Sequence, residues 1–135
     1  MVTVDAVVFT FIQNKPQILL INRKNEPFKN CWAIPGGFVE LDEELCDAAA
    51  RELKEETNIS NVKLKQLHTF AAVGRDPRGR QVTIVFWGIT KKPQQIKAGD
   101  DAQDAKWFPL DTLPKNLAFD HEKILKLAIK KLNKP

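Results

Sequence analysis

The order of apolar and polar positions divides the chain into short strands and two helices. Val2 to Ile12 is rich in Val, Phe and Thr and predicts a strand. Asn14 to Pro16 supplies turn residues and Gln17 to Asn22 predicts a second strand, so the pair reads as a hairpin. Arg23 to Asn30 is polar and carries Pro27, which predicts a loop, and Cys31 to Ile34 predicts a short strand running into Pro35, Gly36 and Gly37. Leu45, Ala49 and Leu53 then recur at the i, i+4, i+8 spacing of an apolar helix stripe, with Asp42 as the expected N-cap and Glu43 and Glu44 placing negative charge on the first turn. Val62 to Val73 and Gln81 to Thr90 predict strands on either side of Asp76-Pro77-Arg78-Gly79, whose residue types suit a type I turn. A polar stretch from Lys91 to Asp104 and an apolar segment at Ala105 to Phe108 lead to a last helix. Asp120 is its expected cap, Ile124, Leu125, Ala128, Ile129 and Leu132 form one face, and Phe119 with Ile124 has the spacing of a hydrophobic staple. Strands with one helix in mid-chain and one at the end predict an α/β fold, a central mixed sheet in an α/β/α sandwich.

Composition narrows the class. The chain has 135 residues, 43% hydrophobic and 28% charged, and is expected to form a single domain over 1–135. No apolar run approaches the ~20 residues of a membrane span, and the opening MVTVDAVVFTFI carries an acid and lacks a basic leader region, so a cytoplasmic protein without membrane contact is expected. Cys31 and Cys46 have no metal-type spacing and are expected to be reduced thiols. The net charge of +4 is scattered, and Lys123, Lys126 and Lys130 lie mostly opposite the apolar face of the last helix, so no nucleic-acid partner is expected.

The chemistry is concentrated between Gly37 and Ile59, GFVELDEELCDAAARELKEETNI. On a helix, Glu52, Glu55 and Glu56 at i, i+3 and i+4 share one face, and their mutual repulsion would be relieved by a hard divalent cation such as Mg2+ that prefers oxygen ligands. Arg51 could pair with Glu43 or Glu55 and orient these carboxylates, or could be an ordinary surface ion pair. Gly36 and Gly37 suit a sharp bend that brings a backbone carbonyl close to the ion, where a Cβ would obstruct it. Gly37, Glu43, Arg51, Glu52, Glu55 and Glu56 occur in one register; at about one in fifteen per residue type, chance would produce this in ~10^-7 of windows. Coincidence is a poor account of it.

This pattern resembles the Nudix box, with one departure: Asn58 stands where that family usually has Gly. Asn is the next-best residue for the left-handed conformation that ends a helix, so the turn is expected to survive. The segments NEPFKNCWAIPGGFVE, TFAAVGRDPRGR, AGDDAQDAKWFPLDTLP and LAFDHEKIL extend the resemblance to the bacterial ADP-ribose pyrophosphatase-like branch across nearly the whole chain. The resemblance implies a Nudix-type α/β/α sandwich with the box as loop-helix-loop. It implies hydrolysis, dependent on Mg2+ or Mn2+, of the pyrophosphate bond in a small-molecule nucleotide, ADP-ribose giving AMP and ribose 5-phosphate. NADH, diadenosine polyphosphates and oxidised nucleotides are alternatives, because Val73 stands where members of the branch often carry Pro.

It further implies Glu56 and Glu52 as leading metal ligands, with Glu55 and the Gly37 carbonyl completing the set. Glu52, Glu55 and Arg51 are the expected catalytic residues. Asp101, outside the box, is a candidate base for the attacking water, with Asp100 and Asp104 as alternatives. Arg23, Arg75, Arg78 and Arg80 could pair with phosphate oxygens, Arg75 being preferred for its place on the substrate loop, while Phe28, Trp32 and Phe70 could each stack a purine or belong to the core, with two of the three expected in the core. Some relatives bind ADP-ribose as sensors and pass the signal to a winged-helix domain. The intact carboxylates, and a chain that ends with its terminal helix, favour the enzyme. Oligomeric state is left open; the long first strand could pair across a homodimer.

Overall fold

The structure is a computed structural model describing residues 1–134. Seven strands form one sheet: β1 (Val2–Ile12), β2 (Lys15–Arg23), β3 (Trp32–Ala33), β4 (Gly36–Phe38), β5 (Lys65–Phe70), β6 (Val82–Ile89) and β7 (Ala102–Pro109). Helix α1 (Leu45–Thr57) follows β4, and α2 (His121–Leu132) ends the chain. The sheet is mixed, since β1 runs parallel to β6 over Val2–Phe9 and antiparallel to β2 and β4.

Strand β1 shows why the layers form. From Ala6 to Phe9 every residue is fully buried, so both faces of the strand are covered. Val4, Ala6 and Val8 pack with Ala48, Ala49 and Leu53 of α1, while Val7 and Phe9 pack with Ile124, Leu125 and Ala128 of α2. Strand alternation thus delivers one set of side chains to each helix. This is the expected α/β/α arrangement, with the helices on opposite faces.

Several local expectations are corrected. Helix α1 begins one turn's fraction later, with Glu44 rather than Asp42 at the cap position and no side-chain cap, because Glu43 is drawn to Arg51. Asp120 holds the cap position of α2, but its carboxylate serves Arg75 and only its backbone carbonyl accepts from Lys123 and Ile124. The staple is absent: Phe119 packs beside Phe28 and Ala118 in a cluster separate from that of Ile124. Strand β7 starts inside the polar stretch, and the glycine turn contains a strand, β4, that the sequence did not suggest. The first strand is an inner strand of the sheet: β6 lies along one side over Val2–Phe9, and β4 and β2 lie along the other over Thr3–Asp5 and Phe9–Ile12. Asn58 closes α1 in the left-handed conformation, φ 66°, with its N–H donating to the Lys54 carbonyl at 2.9 Å.

The functional cleft follows from the topology. Strands β1 and β2 pair only near their hairpin, Phe9–Ile12 against Lys15–Ile18; beyond that, β4 takes the edge of β1 and β3 pairs with β2. The two strands part, and a cleft opens in the wedge, lined by Thr3 and Asp5 of β1, Ile21 and Arg23 of β2, and Gly36 and Gly37 of β4.

Candidate active site

Three carboxylates converge beside this cleft. Glu52, Glu55 and Asp100 each place an oxygen within 4.8 Å of the others. The glutamates share a face because of the helical repeat, and Asp100 arrives from the loop before β7. That loop is tied to the end of α1: Lys97 N–H donates to the Thr57 carbonyl at 3.0 Å and Gly99 N–H to the Glu56 carbonyl at 3.2 Å, satisfying carbonyls that a helix terminus leaves open. Gly99 must be Gly, since a Cβ there would lie 2.7 Å from the Glu55 carbonyl oxygen. The loop acid joining the glutamates is therefore Asp100. Asp101 turns away, its carboxylate accepting from Asn25 at 3.3 Å.

Glu56 sits deeper. It is 3% exposed and its Oε1 accepts from the Gly36 N–H at 2.8 Å. Burial, with Glu52 and Asp5 nearby, pushes its carboxyl up to about 9 despite that hydrogen bond. Burial also raises Glu52, against the opposing pull of Arg51. Gly37 faces the same group: a Cβ on it would come 2.6 Å from the Glu52 carboxyl carbon. Its φ is ordinary, so close approach rather than a left-handed bend requires the glycine.

Arg51 binds the cluster together. Its Nη2 and Nε reach the two oxygens of Glu43 at 2.6 and 3.0 Å, its Nη1 reaches Glu52 at 2.9 Å and Glu55 at 3.3 Å, and Nη2 also donates to the Phe38 carbonyl at 3.0 Å. The hydrogen bonds from Arg51, helped by the Glu40 N–H, hold Glu43 down to about 2, and the same contacts raise Arg51 itself. This is an orienting role and not a lone surface pair.

The cleft holds the cations and rings. Arg23 is half-buried; burial and the neighbouring positive charge of Arg78 both lower its proton affinity, and its Nε donates only to the Pro27 carbonyl, at 2.8 Å. Its guanidinium lies 5.0 Å from the centre of the Phe119 ring. Arg78 sits near the Phe38 and Phe119 rings, at 5.9 and 5.6 Å, while pairing with Asp76 at 2.8 Å. Arg75 also lines the cleft, but its nitrogens are committed to Asp120, at 2.7 and 2.9 Å, and to Thr83 at 2.7 Å. Phe28 and Trp32 lie outside the cleft lining. Phe28, in the loop before β3, packs on Phe119, and Trp32 of β3 packs edge-on to Phe108; both rings belong to core clusters.

Asp5, Phe38, Phe119 and His121 also line the cleft, although none is a site candidate on sequence, and Arg78 lines it together with Arg75. A charge at Asp5, inside a run of buried apolar residues, was the one available signal. A donor set made only of carboxylate oxygens suits Mg2+ or Mn2+ and not a thiolate- or imidazole-seeking ion. Among the described residues no helix is long and apolar enough to cross a membrane.

Residues 1–128 match the NUDIX domain. The chain is 48% identical to an ADP-ribose pyrophosphatase of Methanocaldococcus jannaschii, over 93% of this chain and 70% of that protein. It is 38% identical to an ADPR responsive transcriptional repressor of Acinetobacter baylyi, over 98% of this chain and 54% of the repressor, so it spans about half the repressor's length. Its structure is similar to that of the NUDIX domain of Shewanella oneidensis NrtR complexed with ADP ribose, with a TM-score of 0.90 and 34% identity, covering 98% of this chain and 88% of that one.

Proposed function

We propose that this chain, which belongs to the NUDIX family, is a pyrophosphohydrolase that converts ADP-ribose and water to AMP and ribose 5-phosphate. The observation that carries the reading is the meeting of Glu52, Glu55 and Asp100 beside a cleft whose Arg23 has no carboxylate partner among the described residues. Identity to an ADP-ribose pyrophosphatase over most of both chains supports the substrate.

Glu52, Glu55 and Asp100, with Glu56 and the Gly37 carbonyl behind them, are the residues that would hold Mg2+ or Mn2+. Such a cation, when bound, neutralises charge on the diphosphate and lowers the pKa of a water molecule. The chain's own residues do the rest. Arg51 fixes the carboxylates in register through Glu43. Arg23, with Arg78 beside it, accepts the substrate's anionic oxygens, for which a planar guanidinium has matching geometry. The Phe38 and Phe119 rings bound the site laterally. The proton of the attacking water passes to a carboxylate of the acidic group, the P–O bond to the bridging oxygen breaks, and that oxygen leaves on one of the two phosphates. A single domain over 1–135 carries the activity, and the free thiols Cys31 and Cys46 accord with a cytoplasmic setting.

Similarity to the ADPR responsive repressor favours a second reading, a domain that binds ADP-ribose without cleaving it. The full set of acids speaks for turnover. Incubating the wild-type protein with a nucleotide panel including ADP-ribose, NADH, diadenosine polyphosphates and oxidised nucleotides, with Mg2+ and product identification, decides between them. An enzyme forms AMP from ADP-ribose and loses most of its rate as Glu56→Gln; a sensor binds ADP-ribose in both forms and forms no product in either.

A further inference from the structure

The cleft floor contains a carboxyl that receives no hydrogen bond from any described residue. Asp5 is 7% exposed, in the middle of β1, and lines the cleft on the α2 side of the sheet. Among the described residues no hydrogen bond to its carboxylate is formed; Nε2 of His121 stands 3.6 Å from it, beyond hydrogen-bond length. The polar side chains next to it on the β6 side are already engaged. Arg75 is spent on Asp120 and Thr83, and the hydroxyls of Thr3 and Thr83 bond to each other. The Ile34 N–H donates to Nδ1 of His121 at 3.0 Å, which fixes the imidazole proton on Nε2 and the ring in place. The little exposure that Asp5 keeps is toward the cleft, so a donor for its carboxyl can come from a ligand seated there.

Position says which donor. Gly36 lies between Asp5 and Glu56: its N–H donates to Glu56 Oε1 at 2.8 Å, and a Cβ on it would collide with the Asp5 carboxylate. A group seated at Asp5 is therefore one residue's width from the metal-binding end of the cleft, where the diphosphate would lie. On an ADP-ribose-like molecule the donors that close to the diphosphate are ribosyl hydroxyls; the amino group of the base stands a whole sugar further away.

We infer that Asp5 is a specificity-determining residue that accepts a hydrogen bond from a ribosyl hydroxyl of the substrate. The inference rests on the ADP-ribose reading above and deepens it.

The test compares wild type with Asp5→Ala and Asp5→Asn, both checked for a wild-type circular dichroism spectrum. Steady-state kinetics with Mg2+ and calorimetric binding to metal-free protein are measured for ADP-ribose, for two deoxy analogues, one lacking the hydroxyls of the adenosine ribose and the other those of the terminal ribose, and for the hypoxanthine counterpart that lacks the base amine. Asp5→Ala should raise KM and Kd for ADP-ribose about tenfold with kcat within about twofold, the size of one lost hydrogen bond to a charged or strongly polarised acceptor. With one of the two deoxy analogues that penalty should vanish. Should Asp5→Ala fail to fold, wild type alone still decides, because it should bind one deoxy analogue about tenfold more weakly than ADP-ribose. An unchanged KM and Kd in folded Asp5→Ala overturns the inference, as does a penalty that persists with both deoxy analogues or disappears only with the hypoxanthine compound. A wild type that binds ADP-ribose without forming AMP defeats the catalytic reading instead, and the binding data still judge Asp5.

Discussion

Arg51 grips Glu43 with two nitrogens, Nη2 at 2.6 Å and Nε at 3.0 Å, while its remaining nitrogen reaches Glu52 at 2.9 Å. The residue thus links a carboxylate one turn before α1 proper to one in the proposed metal group, and a bidentate clasp of this kind sets direction as well as charge. Arg51→Lys keeps the charge and loses the fork. Groups that orient metal ligands typically alter metal affinity or activity by about 10- to 100-fold when removed. Arg51→Lys is accordingly expected to raise the Mg2+ concentration for half-maximal rate by about tenfold, and Arg51→Ala by more. Metal titrations of the ADP-ribose rate check this; equal metal dependence in all three proteins would reduce Arg51 to a surface ion pair.

Gly36 and Gly37 are adjacent yet should fail differently. A Cβ at Gly36 meets the Val4 carbonyl and the Asp5 carboxylate, and the Val4 carbonyl cannot move without shifting the β1 backbone that pairs with β4 and β6. Gly36→Ala should therefore destabilise the fold by about 1–3 kcal/mol or more, the usual range for overpacking. A Cβ at Gly37 meets only the end of the Glu52 side chain, at 2.6 Å. Gly37→Ala should stay folded and lose activity through a displaced ligand. Thermal unfolding and rate, measured on both variants, separate the two effects; a Gly37→Ala enzyme with full rate would contradict the placement of Glu52.

The comparison of these glycines shows what the sequence could and could not convey. The helical spacing of Glu52, Glu55 and Glu56 is a local property, and it correctly put three acids on one face. Which of them join a common group depends on Asp100, whose approach is governed by hydrogen bonds of the loop to the Thr57 and Glu56 carbonyls. No local pattern reports that, and Asp101 was as good a candidate on position alone. Likewise the Gly36–Phe38 strand exists only because β1 offers an edge, and the capture of Arg75 by Asp120, 45 residues later, is a tertiary event that its place on the loop does not report. The sandwich, by contrast, was legible, since alternation in β1 and the stripes of α1 and α2 each state which side is buried.

Glu56 sets stability against function. Burial holds its carboxyl up at about 9, so in metal-free protein the folded state keeps a proton that the unfolded chain, near 4.5, has released. The sign follows: folding is unpenalised below about 4.5 and loses stability as pH rises toward 9, by up to about 1.4 kcal/mol per pH unit. Glu56→Gln does not titrate and its amide oxygen can still accept from Gly36. In chelator, the variant should melt above wild type at pH 8 and converge with it near pH 4.5, while being nearly inactive with Mg2+. Parallel melting curves across that range would show that Glu56 is ionised in the folded protein.

Asp5 and His121 should carry opposite pH slopes that cancel. Burial raises Asp5 to about 7, so its contribution is present below the unfolded value of 3.8 and is lost as pH rises through 7. Burial lowers His121 to about 3, so its contribution is present above the unfolded value of 6.5 and is lost as pH falls toward 3. The lowered value has a geometric basis, because protonating Nδ1 would break its bond to the Ile34 N–H. Between pH 4 and 6.5 each group alone contributes a slope of about 1.4 kcal/mol per pH unit, in opposite directions. Removing one exposes the other. Relative to wild type, Asp5→Asn should lose stability on acidification through this window, and His121→Asn should gain it. Denaturant melts at half-unit pH steps measure both differences; slopes of the same sign would mean that the two side chains do not face each other as the structure has them.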